Sequence, residues 1–447
     1  MQLYALLENN AKTSLPDMEI TGLTDDSRKV QPGMLFACIR GERFDGHTAA
    51  KDVLERGAAA VLADHDLGLG DRQILTEDTR ALYGKLCAAW FGHPERKMRF
   101  IGVTGTNGKT TITNLIKHIL TENGHKVGLI GTIQNEIGDE IIHTDNTTPF
   151  VYDLMALYAR MAEAGCDDVV MEVSSFGLVQ QRIGETHFAA AAFTNLTQDH
   201  LDYHGTMENY YQAKKLLFQR CDTAIIDTDD EYGKRLYGEV TCPRISYGSS
   251  SQADFYADAI KLRADGTSFW LCCGGKSYPV NLHLTGMFNV SNALAAVASC
   301  HAVGLSMREI RTALEPMAAR RMAERCNTED IRRLENIHRS FLSAIQEGDA
   351  AMIGRLDEQF HSAIVESSGN ALMIEINSHV CQGMQTFRSK TFQVEQNVKN
   401  AVMPHSNIMN AILARDAAQA EREMRAHLDK VQEDLTQNIH APGHETK

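Results

Sequence analysis

The run Gly102-Val-Thr-Gly-Thr-Asn-Gly-Lys-Thr-Thr111 has the residue types needed to hold a polyphosphate. Glycines at 105 and 108 let backbone N–H groups approach phosphate oxygens, and the start of a helix adds positive potential. Lys109 reaches the outer phosphates and Thr110 offers a hydroxyl to Mg²⁺, with Thr106, Asn107 and Thr111 completing the cradle. Val103 stands where the strict Walker spacing has its first glycine, but a bland Gly-rich turn has no need of Lys-Thr-Thr at a helix start. Two further polar runs, Glu172-Val-Ser-Ser175 and Asn195-Leu-Thr-Gln-Asp-His-Leu-Asp202, each close an apolar, strand-like segment. Asn289 and Asn292 lie one turn apart on one face of a predicted helix; as isolated residues they read as caps. Near the N-terminus, Asp25-Asp-Ser-Arg-Lys-Val-Gln-Pro-Gly33 and Arg40-Gly-Glu-Arg-Phe-Asp-Gly-His47 flank one strand, and both a connector and a loop for a polar ligand fit them.

These residues need a scaffold, and the apolar pattern supplies one. Phe100 to Val103, Val169 to Val173, Ala189 to Asn195 and Thr223 to Ile226 read as buried strands alternating with helices, the pattern of a doubly wound, mostly parallel sheet. In such a sheet ligands gather at the carboxyl ends of the strands, which is where the polar runs fall. Residues 1–90 form a smaller α/β domain, with strands expected at Met34 to Ile39 and Ala58 to Leu62, and 91–317 the central domain. A more hairpin-like stretch spans Asp254 to Leu284. After Pro316 the texture changes: residues 318–447 show five amphipathic helical segments, near 328–346, 350–367, 371–390, 397–414 and 416–436. Gly348-Asp349, Gly369-Asn370 and Arg415-Asp416 mark their breaks, and Ala441 to Lys447 reads as a tail. The fold class is therefore α/β, followed by an all-α bundle.

Composition narrows the function. The 447 residues carry 44 basic against 58 acidic side chains, a net charge of −14, which argues against a general nucleic-acid or membrane-surface binder. No apolar run approaches a membrane span and the N-terminus lacks the pattern of a secretory leader, so a cytoplasmic location is expected. The ten cysteines are scattered, as reduced and mostly buried thiols are.

Over its first 315 residues the chain resembles a Mur ligase, closest to the type that adds the third residue to UDP-N-acetylmuramoyl-dipeptide. The resemblance rests on Asp26-Ser-Arg-Lys-Val-Gln-Pro-Gly33, Phe44-Asp-Gly-His47, Thr104 to Thr111, Asn146-Thr-Thr-Pro149, Glu172-Val-Ser-Ser175, Asp199-His-Leu-Asp-Tyr-His-Gly205, Ala213-Lys214 and Asn289-Val-Ser-Asn292. It implies ATP on Gly105 to Thr111, with adenine against Asn289 and Asn292. It implies the uridine end of the substrate at Ser27 and the muramoyl-peptide at Thr147, Thr148, Ser174, Gln180 and Arg182. Lys109, Glu172, His200 and Lys214 would be catalytic, Thr110 binding one Mg²⁺ while Glu172, His200 and a carbamylated Lys214 support a second. Phe176-Gly177 departs from the His-Ala usual in the family. A larger departure comes near Ala318, where a Mur ligase continues into a Rossmann-like domain with an Asp-Tyr-Ala-His-type ATP contact; that stretch does not occur here.

The segment that follows resembles the FCD domain, the effector-binding and dimerisation module of GntR-type regulators. The matching residues are Leu356-Asp-Glu-Gln-Phe-His361, Ser368-Gly-Asn370, His405 through Asp416 and Met424-Arg-Ala-His427. Asp357, His361, His405 and His427 fit the metal site of that module, and three neutral imidazoles with a carboxylate suit Zn²⁺, Ni²⁺ or Mn²⁺. Pro404 stands where the module often has an acidic residue, while His338 and His379 fit no motif and are expected as surface or helix-face residues. The resemblance also implies a small carboxylate effector and a homodimer through the bundle. No basic recognition helix is visible, which argues against DNA binding.

Two functions follow as expectations. One is an ATP-dependent amide-bond ligase of peptidoglycan precursor synthesis, joining an amino acid to the UDP-N-acetylmuramoyl-peptide through an acyl phosphate, with the bundle in place of the usual third domain. The other is a nucleotide- and UDP-precursor-binding protein whose FCD-type bundle senses a metal-bound carboxylate, without ligase turnover.

Overall fold

The computed structural model describes residues 1–41, 44–138, 140–263, 266–274, 276–282, 287–312, 323, 328–367 and 395–439. They form two compact units, Met1–Thr113 with Lys126–Ala192 and Leu196–Ala224, and Asn114–His125 with Phe193–Asn195 and Ile225–Lys447.

The first unit opens with a four-stranded sheet, β1 (Gly22–Thr24), β2 (Met34–Ala37), β3 (Ala60–Ala63) and β4 (Gln73–Leu75), in sequential order. All neighbouring pairs are parallel. The strands are short and nearly all apolar, as sheets covered on both faces require. The observed β2 and β3 fall within two residues of the stretches expected from the apolar pattern.

The larger sheet of this unit comprises β5 (Arg99–Thr104), β6 (Val127–Ile130), β7 (Asn135–Ile137), β8 (Glu140–Ile142), β9 (Asp168–Glu172), β10 (Phe188–Phe193) and the first half of β11 (Cys221–Asp227). Their order is β11-β10-β5-β9-β6-β7-β8. β5 and β6 run parallel to β9, whereas β7 and β8 return as an antiparallel edge. Arg99 anchors the amino end of β5, its Nε donating at 2.5 Å to the buried Asp168 on β9. The helix Lys109–Glu122 follows β5 and buries Ile112, Ile116, Ile119 and Leu120, an i, i+4, i+7, i+8 stripe.

In the second unit the end of β11 is followed across the sheet by β12 (Arg244–Gly248), β13 (Phe255–Arg263), β14 (Gly266–Cys273) and β15 (Lys276–Leu282). The last three pair antiparallel, which places hairpins where the sequence suggested them. The helix Met287–Ala302 is buried from Asn289 to Cys300 apart from Ser291, while Met287 and Phe288 are exposed.

The helical region contains Thr328–Glu347, Ala350–Ser367, Glu395–Leu413 and Ala417–Ile439. Leu334, Phe360, Ile364, Ile408, Ile412 and Met424 pack in one core. Gly348 (φ 74°) and Arg415 (φ 55°) end helices in the left-handed region, and Asp349 and Asp416 then accept backbone N–H bonds from the next helix start. The expected helix at 371–390, the Gly369-Asn370 break, His379, the 317/318 boundary and the 441–447 tail lie outside the described residues. None of the eight described cysteines is in a disulfide, and Cys242 and Cys273 are the partly exposed ones. No helix among the described residues is long and apolar enough to cross a membrane.

Candidate functional site

The carboxyl end of β5 leads straight into the glycine loop. Val103 pairs with Glu172 across the parallel β5–β9 register, so the loop and this carboxylate emerge side by side. Thr104 Oγ1 donates to the Val173 carbonyl at 2.7 Å and fixes the exit of both strands. Gly105 (φ 146°) and Gly108 (φ 91°) adopt backbone conformations that a side chain would oppose.

Three groups meet around this loop. Lys109 Nζ folds back onto the carbonyls of Gly105 (3.0 Å) and Thr106 (2.9 Å). Lys214 Nζ, 1% exposed, donates to the same Gly105 carbonyl at 2.9 Å and lies 4.6 Å above the Tyr210 ring. Glu172, also 1% exposed, accepts from Thr110 Oγ1 (2.9 Å), the Thr132 amide (2.9 Å) and Thr132 Oγ1 (2.9 Å). A Cβ at Gly131 would stand 2.6 Å from Glu172 Oε1, so the carboxylate is seated directly on the backbone after β6.

The electrostatics follow from burial. Burial lowers the Lys109 ammonium below its ordinary range, against the pull of Glu172 and Asp199. It pushes Lys214 well below its ordinary range, and the neighbouring charge of Lys109 adds to the push. Burial thus favours the uncharged amine at Lys214, with Asp199 opposing.

The loop is braced from the segment after β10. Thr106 Oγ1 accepts from the Thr197 amide at 3.1 Å and lies 3.4 Å from Tyr210 Oη, while Asn107 Nδ2 approaches Thr197 Oγ1 at 3.5 Å. His200 has φ 51°, is half exposed, and its Nε2 lies 3.4 Å from Asp199 Oδ2. Phe176, the departure from the family pattern, packs edge-on to His200 (5.2 Å between centroids) and against Tyr203 (4.2 Å).

The expected muramoyl-peptide residues form one connected group. Thr148 Oγ1 donates to the Glu172 carbonyl and accepts from the Ser174 amide, both at 3.0 Å, so it positions this strand end. Thr147 Oγ1 meets Thr132 Oγ1 at 3.0 Å. Ser174 caps the following helix by accepting from the Gly177 amide at 3.0 Å. Arg182 donates to Gln180 Oε1 (2.8 Å) and the Thr148 carbonyl (2.9 Å) while stacking over Phe150. Ser27 lies elsewhere in the unit, beyond β1, where its carbonyl accepts from Arg56. In the second unit, Asn289 and Asn292 are buried on one helix, Asn292 Nδ2 donating to Asn289 Oδ1 at 3.2 Å.

Sequence reasoning missed Thr132, Thr197 and Tyr210. Thr132 was detectable: it directly follows the apolar Val127-Gly-Leu-Ile130 and Gly131, a strand-and-turn signal.

A separate cluster occupies the bundle. Asp357, His361, His405 and His427 are all buried, each with one ligand-capable atom within 4.8 Å of the others. His361 Nε2 faces His427 Nε2 at 3.0 Å, and His405 Nε2 lies 3.2 Å from Asp357 Oδ1. Two imidazole nitrogens aimed at each other require a proton or a cation between them, and a divalent ion satisfies all four donors at once. Pro404 sits inside the helix that carries His405. His338 lies on an inward, partly buried helix face: its ring stacks with Phe341 and packs against Phe360, its Nε2 lies 3.3 Å from Ser406 Oγ, and burial lowers its pKa.

With this geometry the comparisons agree. Residues 19–85 match the Mur ligase family catalytic domain and 103–300 the Mur ligase middle domain, together more than half of the chain. Residues 306–430 match the FCD domain. The chain belongs to the Mur ligase family and carries an FCD domain after its ligase part. It is 42% identical over 324 residues to the UDP-N-acetylmuramoyl-L-alanyl-D-glutamate–2,6-diaminopimelate ligase of Syntrophomonas wolfei, covering 70% of this chain and 66% of that one. To the ligase of the same name from Geobacillus kaustophilus it is 41% identical, covering 68% and 64%. A solved structure of a ligase with this name superposes with a TM-score of 0.62 at 27% identity, covering 69% of this chain and 65% of that one. The chain spans a little under two thirds of the length of these relatives.

Proposed function

We propose that this chain is an ATP-dependent amide-bond ligase of peptidoglycan precursor synthesis, acting on UDP-N-acetylmuramoyl-dipeptide. The observation that carries this reading is the convergence of Lys109, Lys214 and the thrice-bonded Glu172 carboxylate on the Gly105 to Thr110 loop. Domains at 1–90 and 91–317 would hold the UDP end and the reacting end of the substrate, and 318–447 the bundle.

The residues fit Mg²⁺ and ATP. A buried carboxylate bounded by threonine hydroxyls is an all-oxygen donor set, which a hard cation prefers. When bound, MgATP gives its γ-phosphoryl group to the substrate carboxylate, and an amine then displaces phosphate from the acyl phosphate to form the amide. Lys109 would balance charge growing on phosphoryl oxygens, and the Gly105 and Gly108 amides would orient them. Thr110 and Glu172 would hold magnesium, His200 assisting. A neutral Lys214 amine can add CO₂ with loss of a proton, becoming a carboxylate that supports a second magnesium. Thr147, Ser174, Gln180 and Arg182 would bind the muramoyl-peptide, with Thr148 fixing the strand end and Ser27 contacting uridine. Asn289 and Asn292 would face adenine.

The relatives' names support 2,6-diaminopimelate as a first choice of amino acid. The purified chain, given ATP, Mg²⁺ and the UDP-muramoyl-dipeptide, should release phosphate only when an amino acid is added, with the amide product seen by mass spectrometry. Absence of product across a broad amino-acid panel overturns the reading.

The buried Asp357, His361, His405 and His427 cluster favours a second reading, a sensor that binds nucleotide and precursor without turnover. Its bundle would take Zn²⁺, Ni²⁺ or Mn²⁺, bind a small carboxylate on the metal and pair with a second copy.

A further inference from the structure

A second group of imidazoles lies far from both sites in sequence, at the carboxyl ends of adjacent parallel strands β2 and β3. His47 lies in the short 3₁₀ turn Gly46–Ala49 that follows β2, and Asp64 and His65 directly follow β3. Strand ends in a parallel α/β sheet are where ligands collect. We propose that His47 Nε2, the Asp64 carboxylate and His65 Nδ1 form an open, three-ligand site for a borderline divalent metal ion of the Zn²⁺ class.

The hydrogen bonds decide which nitrogen of His47 is available. Asp45 Oδ1 lies 2.6 Å from His47 Nδ1, and the ring is 4% exposed, so Nδ1 carries the proton and donates it to Asp45. The Asp64 amide points at Nε2 from 3.5 Å, a long contact that marks Nε2 as the lone-pair atom. That lone pair nevertheless faces the Asp64 Oδ1 lone pairs at 3.1 Å. Two acceptors this close need a positive centre between them. His65 Nδ1 meets the same oxygen at 2.5 Å, and the two rings lie 4.7 Å apart, so both imidazoles converge on one carboxylate. The three ligand atoms all fall within 4.8 Å of one another.

The surroundings match a metal-binding histidine. A carboxylate on the remote ring nitrogen fixes tautomer and orientation in such sites. Here Asp45 is itself held by Arg40 Nε at 3.1 Å. Two imidazoles and one carboxylate select Zn²⁺-class ions over Mg²⁺, and half-exposed His65 leaves a face open for water or a ligand oxygen. The competing account is an imidazolium at His47 shared by Asp45 and Asp64, with no metal.

Zn²⁺ itself is the probe, titrated into the EDTA-stripped full chain with bound metal counted after gel filtration. Wild type should retain two equivalents, one in the bundle, and His65→Ala should retain one. The His361→Ala/His427→Ala chain should also retain one, and adding Asp45→Asn to it should weaken binding about 10-fold or more. His65 is half exposed, so His65→Ala should leave the metal-free unfolding midpoint unchanged. An unchanged zinc count or affinity after both His65→Ala and Asp64→Asn overturns the proposal. So does millimolar Mg²⁺ displacing the zinc.

Discussion

Lys214 and Lys109 both donate to the Gly105 carbonyl, an arrangement that two full ammonium charges would oppose. Loss of the amine should therefore remove function without removing a stabilising charge. Lys214→Ala is expected to lower phosphate release by about 100-fold or more, as for other preorganised charge-stabilising groups. Acetate or formate should restore part of the rate if a carboxylate is what the position supplies; no rescue with either would assign Lys214 a purely packing role. A second titration belongs to Asp227 at the end of β11, whose carboxyl burial raises to about 7, with the Asp229 amide bond opposing. Its folded pKa exceeds the unfolded one, so its contribution is full below about pH 4 and is lost as pH rises through about 7. The loss is on the order of 4 kcal/mol. Asp227→Asn should flatten this slope and raise the urea midpoint at pH 8 relative to wild type. The placement of Lys109 and Glu172 beside the glycine loop was legible because each lies in a polar run that closes an apolar strand. Asp227 was not, since three acidic residues in four read as a solvated turn until the fold buries the first.

At the scale of elements, the strand and helix core of the ligase part was legible because β5, β9 and β10 are continuous apolar runs with polar ends. Strands β7 and β8 were not, because strands of three residues carry little periodicity, and β6 was passed over although Val127-Gly-Leu-Ile130 is an apolar run. The four described bundle helices were found to within three residues because their Gly-Asp and Arg-Asp breaks carry stop and start signals together. The Ser175–Val179 helix presses closer to the preceding loop than sequence could reveal. A Cβ at Gly177 would stand 2.8 Å from Thr148 Cγ2 and 3.1 Å from Ser174 Oγ. Gly177→Ala, the residue usual in the family, should thus cost about 1–3 kcal/mol here through overpacking. Denaturant unfolding of this single variant measures it, and an unchanged midpoint would show that the helix can shift freely.

For the whole molecule, the proposed function puts magnesium at the glycine loop and a transition metal in the FCD bundle. Zinc held by the bundle at 100 times its Kd should stabilise the folded helices by about 2.7 kcal/mol. In a melt monitored by helical circular dichroism, EDTA should lower the corresponding transition, and His361→Ala should abolish that sensitivity. An EDTA effect that survives both His361→Ala and His427→Ala would place the responsible ion elsewhere. A chain with two compact units need not unfold in one step, so separate transitions should be fitted.

Burial of the thiols equips the chain with its own reporters. Cys38, Cys87, Cys166 and Cys221 are shielded in the first unit, and Cys272 and Cys300 in the second, while Cys242 and Cys273 are partly open. Among the described thiols, alkylation tracked peptide by peptide would tag the open pair first. The order in which shielded sulfurs then acquire label would time the loosening of each unit in the unaltered polypeptide, without an engineered dye or a tryptophan probe.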